Sequence, residues 1–306
     1  MKIQSVAIIG MGALGILYGD FLTGKLGREH VGFVVDEGRM ARYSESVFTA
    51  NSRPCDFRLI PAGQKGEPAD LVIFAVKATA LEQAMKDAAN QIGENTVILS
   101  VLNGTTSEKL LEERFGARNV VYSVAQGMDA VKLGSALTFT VMDKLCIGIP
   151  KDMPEKQPAL DALCALFDET GMPYDLEEDI LHRLWGKFML NVGVNQVVMV
   201  FEGNYGTIQA PGKARDMMIA AMREVLELSK LEGTGVTEAD LDFYVNLMNT
   251  LSAGGMPSMR QDGLAKRRSE VELFSGTVCR MAKKHGLAVP VNEWLYAKVQ
   301  EMEAAY

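Results

Sequence analysis

Ile3-Gln4-Ser5-Val6-Ala7-Ile8-Ile9-Gly10-Met11-Gly12-Ala13-Leu14-Gly15 opens the chain with an apolar run that breaks into G-x-G-x-x-G and continues as a helical pattern over Ala13–Leu22. In a chain with 29 glycines the spacing alone says little. A strand before it and a helix after it make it a dinucleotide loop. Gly10 permits the tight turn, Gly12 lets backbone approach a pyrophosphate, and Gly15 lets the helix pack close to the strand. The helix N-terminus, entered through Met11, Ala13 and Leu14, stabilises the anion. The alternative, a tight β–α turn with no ligand, needs fewer glycines. The second strand, Val31–Val35, runs into Asp36, 21 residues after Gly15. An acid there hydrogen-bonds the adenine-ribose hydroxyls and repels a 2′-phosphate, which favours NAD. Arg39 and Arg42 follow, either within reach of a 2′-phosphate or as part of a solvated helix start.

The strand–helix alternation continues. Leu71–Val76 is an apolar run fit for a buried parallel strand, followed by a helix over Leu81–Gln91. Then come a strand over Thr96–Val101, a helix over Ser107–Phe115 and a strand over Val120–Ala125. Shorter strands are expected at Val47–Ala50, Phe57–Ile60, Ala136–Val141, Leu145–Ile149 and Pro173–Asp175, and a short helix at Arg39–Ser44. From about residue 159 the period becomes helical: Ala159–Glu169, Ile180–Val200, Lys213–Leu231, Glu238–Leu251, an interrupted Gln261–Val278, and Glu293–Glu301. The pattern predicts an α/β fold: an N-terminal doubly wound Rossmann sheet over residues 1–177 and a C-terminal all-α domain over residues 178–306 that carries substrate and catalysis.

Length agrees, since 306 residues exceed one ordinary core. A formal net charge of −8 disfavours nucleic acid and membrane surfaces as partners. Lys266-Arg267-Arg268 does not reverse that, and Lys283-Lys284-His285-Gly286 reads as the cationic end of a helix with its glycine cap. Cys55, Cys146, Cys164 and Cys279 are scattered, which suits free thiols in a reducing cytoplasm and no metal site. Lys2 and the apolar stretch after it superficially resemble a signal peptide, but no small-residue cleavage site follows. No stretch is apolar enough for a transmembrane helix.

Within the apolar segment from Leu184 to Phe201, Lys187, Asn191 and Asn195 recur at intervals of four. This places one cation and two amides in a stripe on one helix face. Burying a lone ammonium is costly unless it is paired or surrenders its proton, so the stripe marks either a wet cleft or a polar site in an apolar wall. A dinucleotide domain combined with such a site points to hydride transfer, in which a ketone oxygen needs a proton donor. His30 and His285 sit at element ends, and His182 lies across the helix from the stripe. Lysine remains, because an ammonium in a partly apolar cleft holds its proton less tightly. The competing reading of Lys187 is a snorkelling lysine in the helix's first turns. Glu270 is a candidate partner for Lys187 or an ordinary exposed helical glutamate.

Three sets of residues together resemble the ketopantoate reductase family (2-dehydropantoate 2-reductases) over nearly the whole chain. The first is the glycine loop with Lys77 and Asn103-Gly104. The second is Leu184-Trp185-Gly186-Lys187 with Asn191 and Asn195. The third is Ser258-Met259-Arg260-Gln261-Asp262 running into Arg268-Ser269-Glu270. The resemblance implies a Rossmann domain plus a helical domain and NADP-dependent reduction of ketopantoate to pantoate in pantothenate biosynthesis. Lys187 would protonate the ketone oxygen, and Glu270 would lie beside the cofactor and orient the lysine or the ribose. Asn103 would lie near nicotinamide and substrate, Lys77 would contact the cofactor, and Asn191, Asn195 and Ser258 would bind the polar ends of the substrate. On residues alone, Asn103 also reads as a turn residue, Lys77 as a solvated loop cation and Ser258 as a helix N-cap. Two positions depart from the family pattern. Asp36 stands where members carry an arginine for the 2′-phosphate, which keeps NAD open. Tyr205 aligns where the family often has a substrate-facing asparagine. The alternatives are a reductase of another 2-oxoacid on the same scaffold, or a dinucleotide-binding sensor without catalysis. A cytoplasmic location and a homodimer are expected.

Overall fold

β-branched and aromatic runs with no polar interruption form strands buried on both faces, and this chain supplies them at regular spacing. The computed structural model describes residues 2–306, and its contacts divide the chain into one unit ending at Ile180 and another starting at Leu181. In the first unit the order is β1 (Val6–Ile9), α1 (Ala13–Leu26), β2 (Val31–Val35), α2 (Glu37–Ser44), β3 (Thr49–Ala50), β4 (Arg53–Pro54), β5 (Arg58–Pro61) and β6 (Leu71–Phe74). There follow α3 (Leu81–Ala88), β7 (Val97–Ser100), α4 (Ser107–Phe115), β8 (Val120–Ala125), β9 (Val131–Leu133), β10 (Ala136–Thr138), β11 (Leu145–Gly148), α5 (Gln157–Thr170) and β12 (Tyr174–Leu176). The main sheet has eight strands in the order β12-β11-β8-β7-β6-β1-β2-β5. Neighbours pair in parallel except β8 and β11, which pair antiparallel.

Side chains alternate across this sheet. Val6, Ile8, Phe33, Val35, Leu71, Ile73, Val97 and Leu99 pack with α1 and α5 in one core. Ala7, Ile9, Val34, Val72, Phe74 and Ile98 pack with α3 in the other. A second sheet, β4-β3-β10-β9, contributes Ala50 and Leu137, and Phe48 beside it, to the cluster that holds α1. The α/β fold with a Rossmann sheet is therefore observed. Strands β4 and β9 were not legible in the chain. β4 is two residues with a proline, and β9 is exposed, so neither has a buried face to impose alternation.

The second unit is helical: α6 (Ile180–Val200), α7 (Tyr205–Gln209), α8 (Lys213–Leu231), α9 (Glu238–Thr250), α10 (Ser258–Leu264), α11 (Thr277–His285) and α12 (Pro290–Glu303). The interruption expected within Gln261–Val278 is present: α10 starts earlier, at Ser258, and stops at Leu264, and a π-helical turn over Glu272–Gly276 leads into α11. The gap holds Lys266 in a left-handed conformation (φ 49°) and the exposed run to Arg268, which has nothing apolar to bury. Ser269 restarts the chain by donating its N–H and hydroxyl to Glu303 Oε1, at 2.8 and 2.5 Å. α11 ends at His285 with Gly286 left-handed (φ 67°), as its cationic end predicts.

α6 packs through two glycines seven positions apart. A Cβ on Gly186 would lie 2.9 Å from the Tyr244 ring of α9, and one on Gly193 would lie 2.5 Å from Met222 Cγ and 3.0 Å from the Met218 carbonyl of α8. Alanine at Gly193 would gain about 1 kcal/mol in helix propensity. Overpacking against a backbone carbonyl costs about 1–3 kcal/mol, so packing wins. Gly193→Ala should lower the thermal unfolding midpoint measured by calorimetry; a rise would show that α8 yields.

Candidate active site

β7, β6, β1 and β2 are adjacent parallel strands, so whatever follows their carboxyl ends emerges at one edge of the sheet. The glycine loop follows β1, Asp36 follows β2, Lys77 lies three residues past β6 and Asn103 three past β7. The crossover direction changes at β1, and this is where open α/β sheets bind ligands.

The three glycines differ in what they permit. Gly10 has φ 106°, and a Cβ there would overlap the Ala75 carbonyl oxygen; a Cβ on Gly15 would overlap the Gly10 carbonyl oxygen. Both are required by the fold. Gly12 is not, because its nearest neighbour would be Ala75 O at 3.7 Å, an ordinary contact. Gly12 is also the N-cap of α1, with no side-chain cap and no acid in the first turn. An uncapped helix N-terminus behind a glycine that the fold does not need fits a pyrophosphate.

Asp36 caps α2 through Arg39 N (2.7 Å), and its other oxygen holds the Arg39 guanidinium at 3.1 Å. The acid and the nearer arginine are thus engaged with each other, while Arg42 lies over the Tyr43 ring at 5.0 Å. Lys77 is exposed and opens a short 3-10 turn over Ala78–Ala80. Asn103 is half-buried ahead of Gly104, whose φ of 91° shapes the loop. Behind that loop is a buried polar chain that local pattern did not reveal. Ser100 Oγ and Ser107 Oγ are 2.8 Å apart, Ser107 donates to Glu108 Oε2 at 2.9 Å, and Leu102 N donates to Ser100 Oγ at 3.3 Å. Ser123 donates to the Ser100 carbonyl.

In the helical unit, Lys187 and Asn191 are half-buried on α6 and Asn195 is 5 % exposed. The structure joins the two amides to Ser258. Asn195 Nδ2 donates to Asn191 Oδ1 at 3.3 Å, and Asn195 Oδ1 accepts from Ser258 Oγ at 3.2 Å and from Met259 N at 3.3 Å. Pro257, not Ser258, is the N-cap of α10, so the serine's hydroxyl serves Asn195 rather than its own helix. Gln196, passed over in the sequence, is fully buried and donates to Val192 O at 2.7 Å.

Glu270 is half-buried two residues before the π turn, a feature that often marks functional positions, and its carbonyl accepts from Leu273 N and Phe274 N. Tyr205 starts α7; its N–H donates to Gly255 O at 2.9 Å and its ring lies against Gly255, two residues before Pro257. Burial pushes the Tyr205 hydroxyl pKa up. His182 Nε2 lies 3.0 Å from Asp240, and His285 Nε2 lies 2.6 Å from Glu232. None of the four cysteines is in a disulfide. Among the described residues, no helix is long and apolar enough to cross a membrane, and no group of three or more His, Cys, Asp or Glu could hold a metal ion.

The family described as Ketopantoate reductase PanE/ApbA matches residues 6–148, and that described as Ketopantoate reductase PanE/ApbA C terminal matches residues 179–303. A 2-dehydropantoate 2-reductase of Aquifex aeolicus is 28% identical over 314 aligned positions, covering 98% of this chain and 97% of that protein. The ternary structure of D-mandelate dehydrogenase with NADH and anilino(oxo)acetate superimposes with a TM-score of 0.86 at 20% identity over 98% of both chains. A dimeric ketopantoate reductase from Staphylococcus aureus superimposes with a TM-score of 0.79 at 20% identity, over 98% of this chain and 99% of that one.

The glycine geometry separates two outcomes. Gly12→Ala should leave the thermal midpoint nearly unchanged yet weaken dinucleotide binding by about tenfold or more in titration calorimetry, because only a ligand comes close to that position. Gly15→Ala should lose stability and binding together. Unaltered affinity in Gly12→Ala would remove the cradle role.

Proposed function

Because the chain belongs to the ketopantoate reductase family, a family of oxidoreductases, we propose that it reduces 2-dehydropantoate to pantoate with a nicotinamide dinucleotide as reductant. In this reading residues 1–177 bind the dinucleotide, residues 178–306 bind substrate and transfer the proton, and the reaction feeds pantothenate synthesis in the cytoplasm. The observation that carries it is the α6 face on which Lys187 stands in phase with Asn191 and Asn195, whose amides are already hydrogen-bonded to each other and to Ser258.

Gly10, Met11, Gly12, Ala13, Leu14 and Gly15, with Asp36, Lys77 and Asn103, would hold the dinucleotide. When bound, its reduced nicotinamide supplies the hydride for the ketone carbon. Lys187 does the acid work: as negative charge grows on the ketone oxygen, its Nζ gives that oxygen a proton and is recharged from solvent. Glu270 orients the lysine or the ribose. Asn191, Asn195 and Ser258 hold the polar ends of the substrate, and Asn103 positions substrate against the cofactor.

Asp36 is where the two dinucleotides part. A carboxylate at the end of β2 repels a 2′-phosphate, and it also keeps Arg39 occupied, which supports NADH over the NADPH implied by family resemblance. Tyr205, in place of an expected asparagine, supports a second reading: a 2-oxoacid with a different side chain. D-mandelate dehydrogenase, of the same fold, acts by its name on a 2-hydroxyacid, mandelate, and its ternary structure holds anilino(oxo)acetate. A homodimer is proposed from the dimeric Staphylococcus aureus protein.

Lys187→Ala should lower ketopantoate-dependent NADH or NADPH oxidation by about 10²–10⁴-fold while dinucleotide affinity stays nearly intact. Normal turnover would reject the assignment. Tight dinucleotide binding with no oxidation by any 2-oxoacid would favour a sensor. Asp36→Asn keeps the helix cap and removes the charge, so it should shift the NADPH-to-NADH preference towards NADPH by about tenfold in steady-state assays. An unchanged ratio would show that Asp36 does not select the cofactor.

A further inference from the structure

α6 ends in a turn that is strained without an evident local reason. Glu202 N donates to Met199 O and Gly203 N to Val198 O, both at 3.0 Å, which is the Schellman closure. The left-handed position is normally glycine, yet here it is Glu202 (φ 51°), with the glycine one residue later. Arg260, two residues past Ser258 on α10, reaches this turn. Its Nη2 donates to the Glu202 carbonyl at 3.1 Å and its Nη1 lies 3.7 Å from Glu202 Oε1. The Arg260 side chain is only 13% exposed, and its Nε is buried with no hydrogen-bond partner among the described residues. Desolvating a guanidinium and twisting a glutamate both cost free energy. Together they tie α10 to the end of α6.

That tie lies beside the amide pair. A backbone N–H can only donate, so the Asn195 atom facing Met259 N must be Oδ1. Ser258 uses the same oxygen. Asn195 therefore turns Nδ2 towards Asn191, whose facing atom must be Oδ1. Asn191 is left with its own Nδ2 as the group to present. The placement of α10 thus sets the polarity of both amides and makes Asn191 a donor, suited to a carboxylate, ketone or hydroxyl oxygen.

We propose that Arg260 is a positioning residue: its clasp on Glu202 holds α10 where Met259 N and Ser258 Oγ orient Asn195, and through it Asn191, for an oxygen acceptor on the substrate. The substrate part rests on the reading of Asn191 as a substrate ligand; the orienting part does not. The test uses full-length protein labelled with [¹⁵N]asparagine, with side-chain amide signals assigned through Asn191→Asp and Asn195→Asp. In Arg260→Met, which keeps the apolar stem, the Asn195 and Asn191 amide signals should shift and their hydrogen exchange should quicken. The KM for ketopantoate should rise about tenfold while kcat and dinucleotide affinity change less than about twofold. Arg260→Lys should recover part of both effects, and it is the variant to read if Arg260→Met does not fold. Glu202→Gly relieves the twist and keeps the carbonyl, so it should raise the thermal midpoint with KM unchanged. Amide signals in Arg260→Met identical to wild type would overturn the proposal, as would a KM that moves only with a lowered thermal midpoint and is not rescued by Arg260→Lys. If the wild-type protein does not turn over ketopantoate, the functional reading fails, and the amide signals alone decide the role of Arg260.

Discussion

Where β1 ends, three pieces of backbone meet with no room for a side chain: the carbonyl of Gly10, the carbonyl of Ala75 after β6, and the α-carbon of Gly15 on α1. This approach presses the first helix onto the central strands and aims its N-terminus at the carboxyl edge of the sheet. Parallel pairing does the rest. Because β7, β6, β1 and β2 run the same way, the segments leaving them must emerge together, and so Asn103, Lys77, the glycine loop and Asp36 share one edge though they span more than ninety positions. The buried chain of Ser100, Ser107 and Glu108 then stiffens the loop that carries Asn103.

The helical unit solves a different problem. α6 must bury most of its surface and still carry Lys187, Asn191 and Asn195. Gly186 and Gly193 let α9 and α8 close tightly on one side, which leaves the polar stripe to a separate face. A nearly buried amide left unpaired would cost about 1–3 kcal/mol, and Asn195 avoids this by giving both functions away, its oxygen to α10 and its nitrogen to Asn191. The same bonds remove a degree of freedom, because an amide with a backbone donor on one side cannot flip. Organisation of the polar face thus follows from the ordinary demand that buried polar groups be satisfied.

Much of this was legible in the chain because period and turn chemistry are local. Val31–Val35, Ser107–Phe115, Val120–Ala125, Ile180–Val200 and Lys213–Leu231 have the ends that alternation or helical phase predicts. Elements without such signals were not. β4 and β9 are short and exposed, α7 is five residues set by the Asn204–Thr207 capping box, and the exact place of the break after Leu264, though an interruption was expected, depends on a left-handed lysine. Lys156 is the sharpest case. It would be assigned to the surface, yet it is fully buried, with Nζ 2.8 Å from Glu112 and 3.0 Å from the Val120 carbonyl.

The sequence by itself determined the kind of site: a glycine loop between strand and helix, an acid at the end of the second strand, and a lysine with two asparagines in helical phase. These are repeats and spacings of a few residues, and backbone geometry converts them directly into faces and edges. Only the tertiary structure decided which atoms are already engaged. That Asp36 holds Arg39 against its own helix cap, that Ser258 serves Asn195, and that Arg260 reaches back to Glu202 depend on side-chain direction and on pairings between positions far apart in the chain. A hydrogen bond between residues 195 and 258 leaves no mark on the residues between them, because its strength depends on distance and angle in space and not on separation along the chain.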